Sequence, residues 1–196
     1  MKALKILALM IAAVAVVALA SIYSGLFSFA ADEPHWAITI RMIDMARERS
    51  IASAANSISA PDNLEDAKVI AAGAGEYAEM CVGCHLAPGM KDTEMRTGLY
   101  PRPPNLFEAG AARSAAQQFW IVKHGLKMSG MPAWGLTHDD ARIWSMVAFV
   151  RKLPGLSPDA YHELSESSEG HHHHGDADEE HAEGSDASKA SPEDHR

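Results

Sequence analysis

The chain begins with a long apolar stretch that is flanked by charge. Residues 6–31 read ILALMIAAVAVVALASIYSGLFSFAA and hold no charged residue, with Lys2 and Lys5 before them. As a helix, such a run spans the roughly 30 Å hydrocarbon core of a bilayer, and basic residues before it are typical of an export signal. We expect residues 1–31 to be an uncleaved signal anchor, with a removed signal peptide as the alternative.

The flanking charges also predict an orientation. Basic residues favour the cytoplasmic side of a membrane. Lys2 and Lys5 should therefore stay in the cytoplasm, and the chain after Asp32 should lie on the outer side.

Helical spacing of apolar residues continues after the anchor. Trp36, Ile40 and Ile43 share one face, and a second stripe follows at Ile51 and Ala55. The spacing predicts one or two helices within residues 32–61, which we interpret as a helical linker between membrane and domain. The residues of this linker do not indicate a function.

Three further helices are predicted between residues 62 and 162. The first begins near Asp62 and Asn63, both good N-cap residues, and runs toward Cys81. The second begins with the capping box of Ser114 and Gln117 and ends at Gly125. The third is capped by Thr137 and ended by Pro154. Residues 88–110 are rich in proline and glycine and leave little room for regular structure. The fold class is all-α, with long loops that need a large flat apolar ligand to pack against.

Charge separates a tail from the rest of the chain. Residues 163–196 hold 11 acidic and 2 basic side chains, and they therefore carry the whole net charge of −9. This segment has no apolar periodicity, so it should be disordered. No dense basic patch points to nucleic acid. Four consecutive histidines, His171, His172, His173 and His174, are a candidate divalent metal site, and a solvated linker is the alternative.

The strongest chemical signal is the segment EMCVGCHLAPG. It contains both cysteines of the chain, Cys81 and Cys84, followed directly by His85. A thioredoxin-type pair needs a preceding strand, where we predict a helix. A structural zinc site needs more cysteines or spaced histidines. C-x-x-C-H is the signature of covalent haem attachment, with two thioether bonds and the imidazole below the iron. We therefore predict one covalent haem c.

The sixth position on that iron has three candidates. Met131 lies in Gly-Met-Pro between two helices, where Pro132 would stiffen the loop. Met128 would need another loop path, and His124 or an open site is the remaining option. We favour Met131, because a thioether ligand suits a low-spin electron carrier.

The run from Val69 to Leu153 resembles a class I monohaem c-type cytochrome of the bacterial, membrane-anchored type. The matching pieces include the C-x-x-C-H segment, Pro104-Asn105-Leu106, Gly130-Met131-Pro132 and the last helix with Phe149. The resemblance covers under half of the chain.

The resemblance implies roles for further residues. Pro104 would offer its carbonyl to the second ring nitrogen of His85. Gly73 and Tyr77 would cross the last helix at Met146 and Phe149. Arg102 and Trp134 are candidates only for contacts to the haem propionates, because those partners vary within the family.

The resemblance also implies a function. The protein would be an electron carrier, not an enzyme, that serves redox partners in the periplasm or the inner membrane. One alternative is a haem subunit of a larger respiratory or dehydrogenase complex. The other is a peroxidase or gas sensor with a metal-binding tail. The donor, the acceptor and the reduction potential do not follow from the residues.

Overall fold

The computed structural model describes residues 1–26, 28–109 and 112–167. Helices are the only regular elements in these ranges, as the all-α prediction requires. Nine α-helices are described: α1 (Lys2–Tyr23), α2 (Ala37–Ala55), α3 (Ala67–Met80), α4 (Val82–His85), α5 (Glu94–Gly98), α6 (Leu106–Ala109), α7 (Ala115–His124), α8 (Asp140–Lys152) and α9 (Pro158–Ser167). Two 3₁₀ turns flank α8, at Trp134–Leu136 and Leu153–Gly155.

Helix α1 is apolar on every side. None of its residues is buried, and only Ser21 is half-buried. Among the described residues it is the one helix that is long and apolar enough to cross a membrane. A helix that is hydrophobic all round needs an apolar environment, so α1 is compatible with either a membrane anchor or a signal sequence.

The crossing of α3 and α8 is the centre of the domain. A Cβ atom on Gly73 would lie 1.9 Å from the carbonyl oxygen of Ser145, so no larger residue fits there without moving one helix. Tyr77 and Phe149 pack beside this point with ring centroids 5.2 Å apart. The nearest backbone to Gly73 is that of Ser145, one residue before the Met146 that we expected there.

A buried ion pair joins the same two helices. Glu76 on α3 is 4% exposed, and its Oε1 accepts hydrogen bonds from Arg142 on α8 at 2.7 and 2.5 Å. His138 Nε2 lies 3.8 Å from the other carboxylate oxygen. The pair places a charged contact beside an otherwise apolar crossing, so removing Arg142 would leave the buried Glu76 carboxylate uncompensated.

Helix α9 was not predicted from the sequence. Its N-cap Ser157 accepts a hydrogen bond from the amide of Ala160 at 3.2 Å, and Pro158 occupies its first turn, where proline is tolerated. Tyr161 is buried against Phe149. Helix α9 runs to Ser167, so residues 163–167 of the expected tail are helical.

Helix α2 packs on α7 and is therefore attached to the domain. Ile51 and Ala55 on its inner side are buried. Both oxygens of Glu48 accept hydrogen bonds from the Arg113 guanidinium, at 2.8 and 2.7 Å. This hydrogen bond lowers the pKa of Glu48.

Two predicted helix starts and one predicted loop differ from the structure. Helix α3 begins after Asp66, whose carboxylate caps Lys68 at 2.8 Å, and not near Asp62. Helix α8 is capped by Asp139, while the Thr137 hydroxyl bonds to the carbonyl of Trp134. The loop rich in proline and glycine contains the short helices α5 and α6. The capping box of Ser114 is present as predicted.

Candidate functional site

The two cysteines and His85 lie on one helical turn. The amide nitrogens of Cys84 and His85 both donate to the carbonyl of Cys81, at 3.1 and 2.8 Å. Residues three and four apart share a helix face, so this turn groups the two thiols with the imidazole. Both thiols are free and half-buried.

The Cys81 thiol is not set up for redox exchange. Burial raises the pKa of Cys81 to about 12, and the charges of Glu76 and Cys84 add to this effect. A reactive Cys-x-x-Cys pair needs a lowered thiol pKa. Across the described ranges, no three His, Cys, Asp or Glu side chains are placed to hold a metal ion.

His85 is held by a backbone carbonyl. Its Nδ1 lies 2.9 Å from the oxygen of Pro104. A carbonyl oxygen can only accept, so Nδ1 carries the ring hydrogen and Nε2 keeps its lone pair. Burial lowers the pKa of His85, which keeps the imidazole neutral.

A polar network fixes the loop that carries Pro104. Arg96 donates from Nε to the carbonyl of Pro103 at 3.0 Å. The Thr93 hydroxyl donates to the carbonyl of Gly83 at 2.5 Å, which ties the loop to the Cys-x-x-Cys turn. Arg96 and Arg102 both pair with Asp92. Sequence reasoning missed Thr93 and Arg96, although Thr93 is a recognisable N-cap for α5.

The loop with Met131 is organised by fewer contacts. The amide of Leu126 donates to the carbonyl of Met131 at 3.2 Å. The Ser129 hydroxyl donates to the carbonyl of Leu126 at 2.7 Å and accepts from the amide of Met131 at 3.2 Å. Met131 is half-buried, whereas Met128 is 68% exposed.

Two glycines allow close packing of this loop. A Cβ atom on Gly125 would lie 2.7 Å from the backbone oxygens of Met131 and Pro132. Gly125 is therefore the C-cap of α7, as predicted, and also the residue against which the backbone of Met131 and Pro132 packs. A Cβ atom on Gly130 would lie 2.6 Å from a methyl group of Leu99. The Met131 loop therefore packs closely against the loop that carries Pro104.

The remaining candidate residues make contacts of their own. His124 is exposed and packs on Trp120 at 5.2 Å between ring centroids. Arg102 pairs with Asp92, and Trp134 is half-buried with its ring edge-on to His138. The candidate metal ligands His171, His172, His173 and His174 lie outside the described residues.

The helical fold and the Cys81–His85 turn define the class of a c-type cytochrome. Residues 68–150 match the family described as cytochrome C oxidase, cbb3-type, subunit III. This stretch is a monohaem cytochrome c domain with covalently bound haem c, and the Cys81–Cys84 pair fits the attachment motif. Comparisons with curated proteins and with solved structures give no match.

The residues of the site fit this prosthetic group. Two thiols are needed for the thioether bonds, and both are free on one turn. A neutral imidazole with its lone pair on Nε2 is the form that binds iron. The domain is thus a haem-binding electron-transfer cytochrome.

Proposed function

We propose that this protein carries single electrons on a haem ligated by His85 and Met131, between redox partners at the outer face of the inner membrane. The observation that carries this proposal is the contact between His85 Nδ1 and the Pro104 oxygen at 2.9 Å. It sets the tautomer and the direction of the imidazole before any metal binds.

The chain's own residues supply binding and orientation. Cys81 and Cys84 would hold the ring covalently, and the Pro104 carbonyl keeps a hydrogen on His85 Nδ1 so that Nε2 keeps its lone pair for the iron. When bound, haem supplies an iron that alternates between ferric and ferrous states. The buried faces of α3 and α8 exclude water from the core against which Cys81 packs.

Burial supports Met131 over Met128 as the second axial ligand. A ligand side chain must point inward, and Met131 is half-buried while Met128 is 68% exposed. The Ser129 hydroxyl and Gly125 define the path of the Met131 backbone. A soft thioether favours ferrous iron and raises the reduction potential.

Helix α1 supports the proposed location. Its uncharged stretch from Ile6 to Tyr23 suits a membrane anchor, and Lys2 and Lys5 would keep its N-terminus in the cytoplasm. The domain would then face the periplasm and meet its partners there or at the membrane.

A second candidate is a haem subunit of a larger respiratory complex. The matching family is described by its place in an oxidase, as subunit III of the cbb3 type. Purification from native membranes in mild detergent distinguishes the two. Co-elution with other subunits would favour the complex, and elution alone would favour the singly anchored carrier.

The ligand assignment is tested with holoprotein variants. Met131→Ala should leave haem attached, lower the potential by on the order of 0.1–0.2 V within the 0.8 V range open to axial ligands, and let ferrous iron bind CO. Met128→Ala is the matched control and should behave as the unchanged protein. An unchanged potential and no CO binding in Met131→Ala would contradict the assignment. Ready CO binding by the unchanged protein would instead favour a gas sensor or peroxidase.

A further inference from the structure

Helix α2 has an apolar outer face that the domain does not cover. Ile38, Met42 and Met45 are 62%, 62% and 61% exposed. Their spacing places them on one side of the helix, while Ile51 and Ala55 on the other side are buried. We call these three residues, together with Arg41 and Arg49, the outer face of α2.

Over the part of the chain that the structure describes, helix α2 carries paired charges on one side and unpaired arginines on the other. Asp44 pairs with Arg47 at 3.0 Å, and Glu48 is bound by Arg113. Within the described ranges, Arg41 and Arg49 form no ion pair, and both are exposed beside the apolar side chains. The outer face therefore combines apolar groups with two unneutralised positive charges.

The outer face of α2 follows α1 in the chain after a short connecting segment. Residues 24–36 join the two helices and can span at most roughly 45 Å. The exposed side chains at the end of α1 and in this segment include Tyr23, Phe29 and Trp36, at 96%, 94% and 71% exposure. Aromatic residues of this kind are enriched where a membrane meets water.

We propose that the outer face of α2 lies on the anionic phospholipid surface of the membrane that holds α1. This inference rests on the membrane anchoring in the proposed function and adds a second contact to it. Three apolar side chains would enter the headgroup region, and Arg41 and Arg49 would meet lipid phosphates.

The size of the face favours lipid over a protein partner. From Ile38 to Arg49 it is about 16 Å long, and one helix side is about 10 Å wide. This is far less than the roughly 800 Å² that each partner of a stable protein complex buries. A bilayer needs no such area, because α1 already keeps the two surfaces together.

Docking would fix the orientation of the haem domain. Helix α2 packs on α7, and Glu48 on α2 is held by Arg113, two residues before α7. The ring of His35, just before α2, packs edge-on against Tyr100 at 5.6 Å, in the loop that carries Pro104. A membrane contact at α2 would therefore set the angle at which the haem side of the domain faces its partners.

The test uses the full holoprotein reconstituted in vesicles of phosphatidylglycerol and phosphatidylcholine. Haem attachment consumes both native thiols, so Met42→Cys offers a single site for a nitroxide label. Met95→Cys is the control, because Met95 on α5 is equally exposed at 63%. We expect the label at position 42 to collide with oxygen and to be shielded from a water-soluble nickel chelate. The label at position 95 should show the reverse.

Charge variants test the role of the arginines. Arg41→Gln with Arg49→Gln should reduce the ratio of docked to undocked α2 by about 30-fold, taking the usual attraction of each arginine to an anionic surface. Arg151→Gln with Lys152→Gln removes two exposed charges at the end of α8 and should have no effect. Vesicles of phosphatidylcholine alone should weaken docking as the arginine variants do.

Two results would overturn the inference. One is equal nickel access at positions 42 and 95 in anionic vesicles. The other is a position 42 shielded from both reagents in native membranes yet open to nickel in lipid vesicles, which would indicate a protein partner. The haem spectrum and intact mass of each sample report separately on the proposed function, because a missing haem or a cleaved α1 would contradict that function first.

Discussion

Two turns, one after His85 and one before the Met131 loop, leave a helix through nearly the same backbone conformation. Leu86 follows His85 with φ 62° and ψ 169°, and Gly125 precedes the Met131 loop with φ 64° and ψ −171°. This region of conformational space is open essentially to glycine alone. Gly125 therefore adopts this conformation without strain, whereas Leu86 must be held in it by its surroundings.

The neighbours of each turn explain the difference. At Gly125 the backbone of Met131 and Pro132 fills the space where a side chain would go. At Leu86 the side chain is 4% exposed, and its carbonyl accepts a hydrogen bond from the Tyr77 hydroxyl at 2.6 Å. Burial and this hydrogen bond offset the strain at Leu86, so the two sides reach one geometry by different means.

Gly125→Ala should have the largest effect. The variant combines backbone strain with a Cβ atom 2.7 Å from backbone oxygens, and should destabilise the holoprotein by roughly 3–5 kcal/mol. Denaturant unfolding measures this. We also expect the absorption band of the proposed Met131–iron bond to weaken while haem stays attached.

Gly155→Ala is the control for this substitution. A Cβ atom on Gly155 meets nothing within 4 Å, so its unfolding should change little. Equal stability of the two variants would show that the Met131 loop does not depend on Gly125.

Leu86→Ala and Leu86→Gly test the strain on the His85 side. Leu86→Ala should cost about 2–3 kcal/mol, because it removes buried apolar surface and keeps the strain. Leu86→Gly also releases the strain, and should be more stable than Leu86→Ala by about 1 kcal/mol. The usual order is the opposite, because glycine has more conformational entropy to lose.

The same pair of substitutions at Leu153 gives the reference. Leu153 is fully buried and has helical φ and ψ of −51° and −42°. There alanine should be more stable than glycine. Thermal unfolding measures both pairs. If the alanine variant is more stable than the glycine variant at Leu86 as well as at Leu153, Leu86 is not strained.

Tyr77→Phe should have a smaller effect, about 1–2 kcal/mol, because it leaves the buried carbonyl of Leu86 without its partner. Tyr161→Phe is the control, since in the described structure its hydroxyl makes no hydrogen bond. A double-mutant cycle of Tyr77→Phe with Leu86→Gly measures whether the hydroxyl holds the strained turn. Strict additivity would show that it does not.

Acid should loosen α2 slightly. The hydrogen bond from Arg113 lowers the pKa of Glu48 below its usual 4.5. Its stabilisation is therefore present above pH 4.5 and is lost as the pH falls through the lower pKa of the folded state. Both groups are partly exposed, so the effect is about 0.5–1 kcal/mol.

Hydrogen exchange of α2 in the full protein and in Arg113→Gln measures this contribution. The two proteins should differ at pH 6, and the difference should shrink as the pH falls below 4.5. A difference that does not shrink on acidification would assign the role of Arg113 to packing and not to its charge.

Some parts of the site could be predicted because they depend on neighbours in the chain. The Cys-x-x-Cys-His turn, the capping box at Ser114 and the C-cap at Gly125 each involve residues within four positions. Helix α9 could also have been found from Ser157 and Pro158, but the acidic composition of the tail concealed it. The starts of α3 and α8 were misplaced because several polar residues competed for the cap position.

Other parts could not be predicted because they join distant residues. No local pattern shows that Arg96 bonds to Pro103, that Leu99 touches Gly130, or that α2 packs on α7. The strain at Leu86 is likewise invisible in sequence, since leucine normally avoids that conformation.

The sequence by itself determined the covalent chemistry, the helical class and the apolar first helix, because thiol spacing and apolar periodicity are local properties. The tertiary structure alone decided which hydrogen bond holds His85, how Gly125 seats the Met131 loop and which face of α2 stays uncovered. Those features depend on which distant surfaces meet, and burial and hydrogen bonding between such surfaces form only when the whole domain packs.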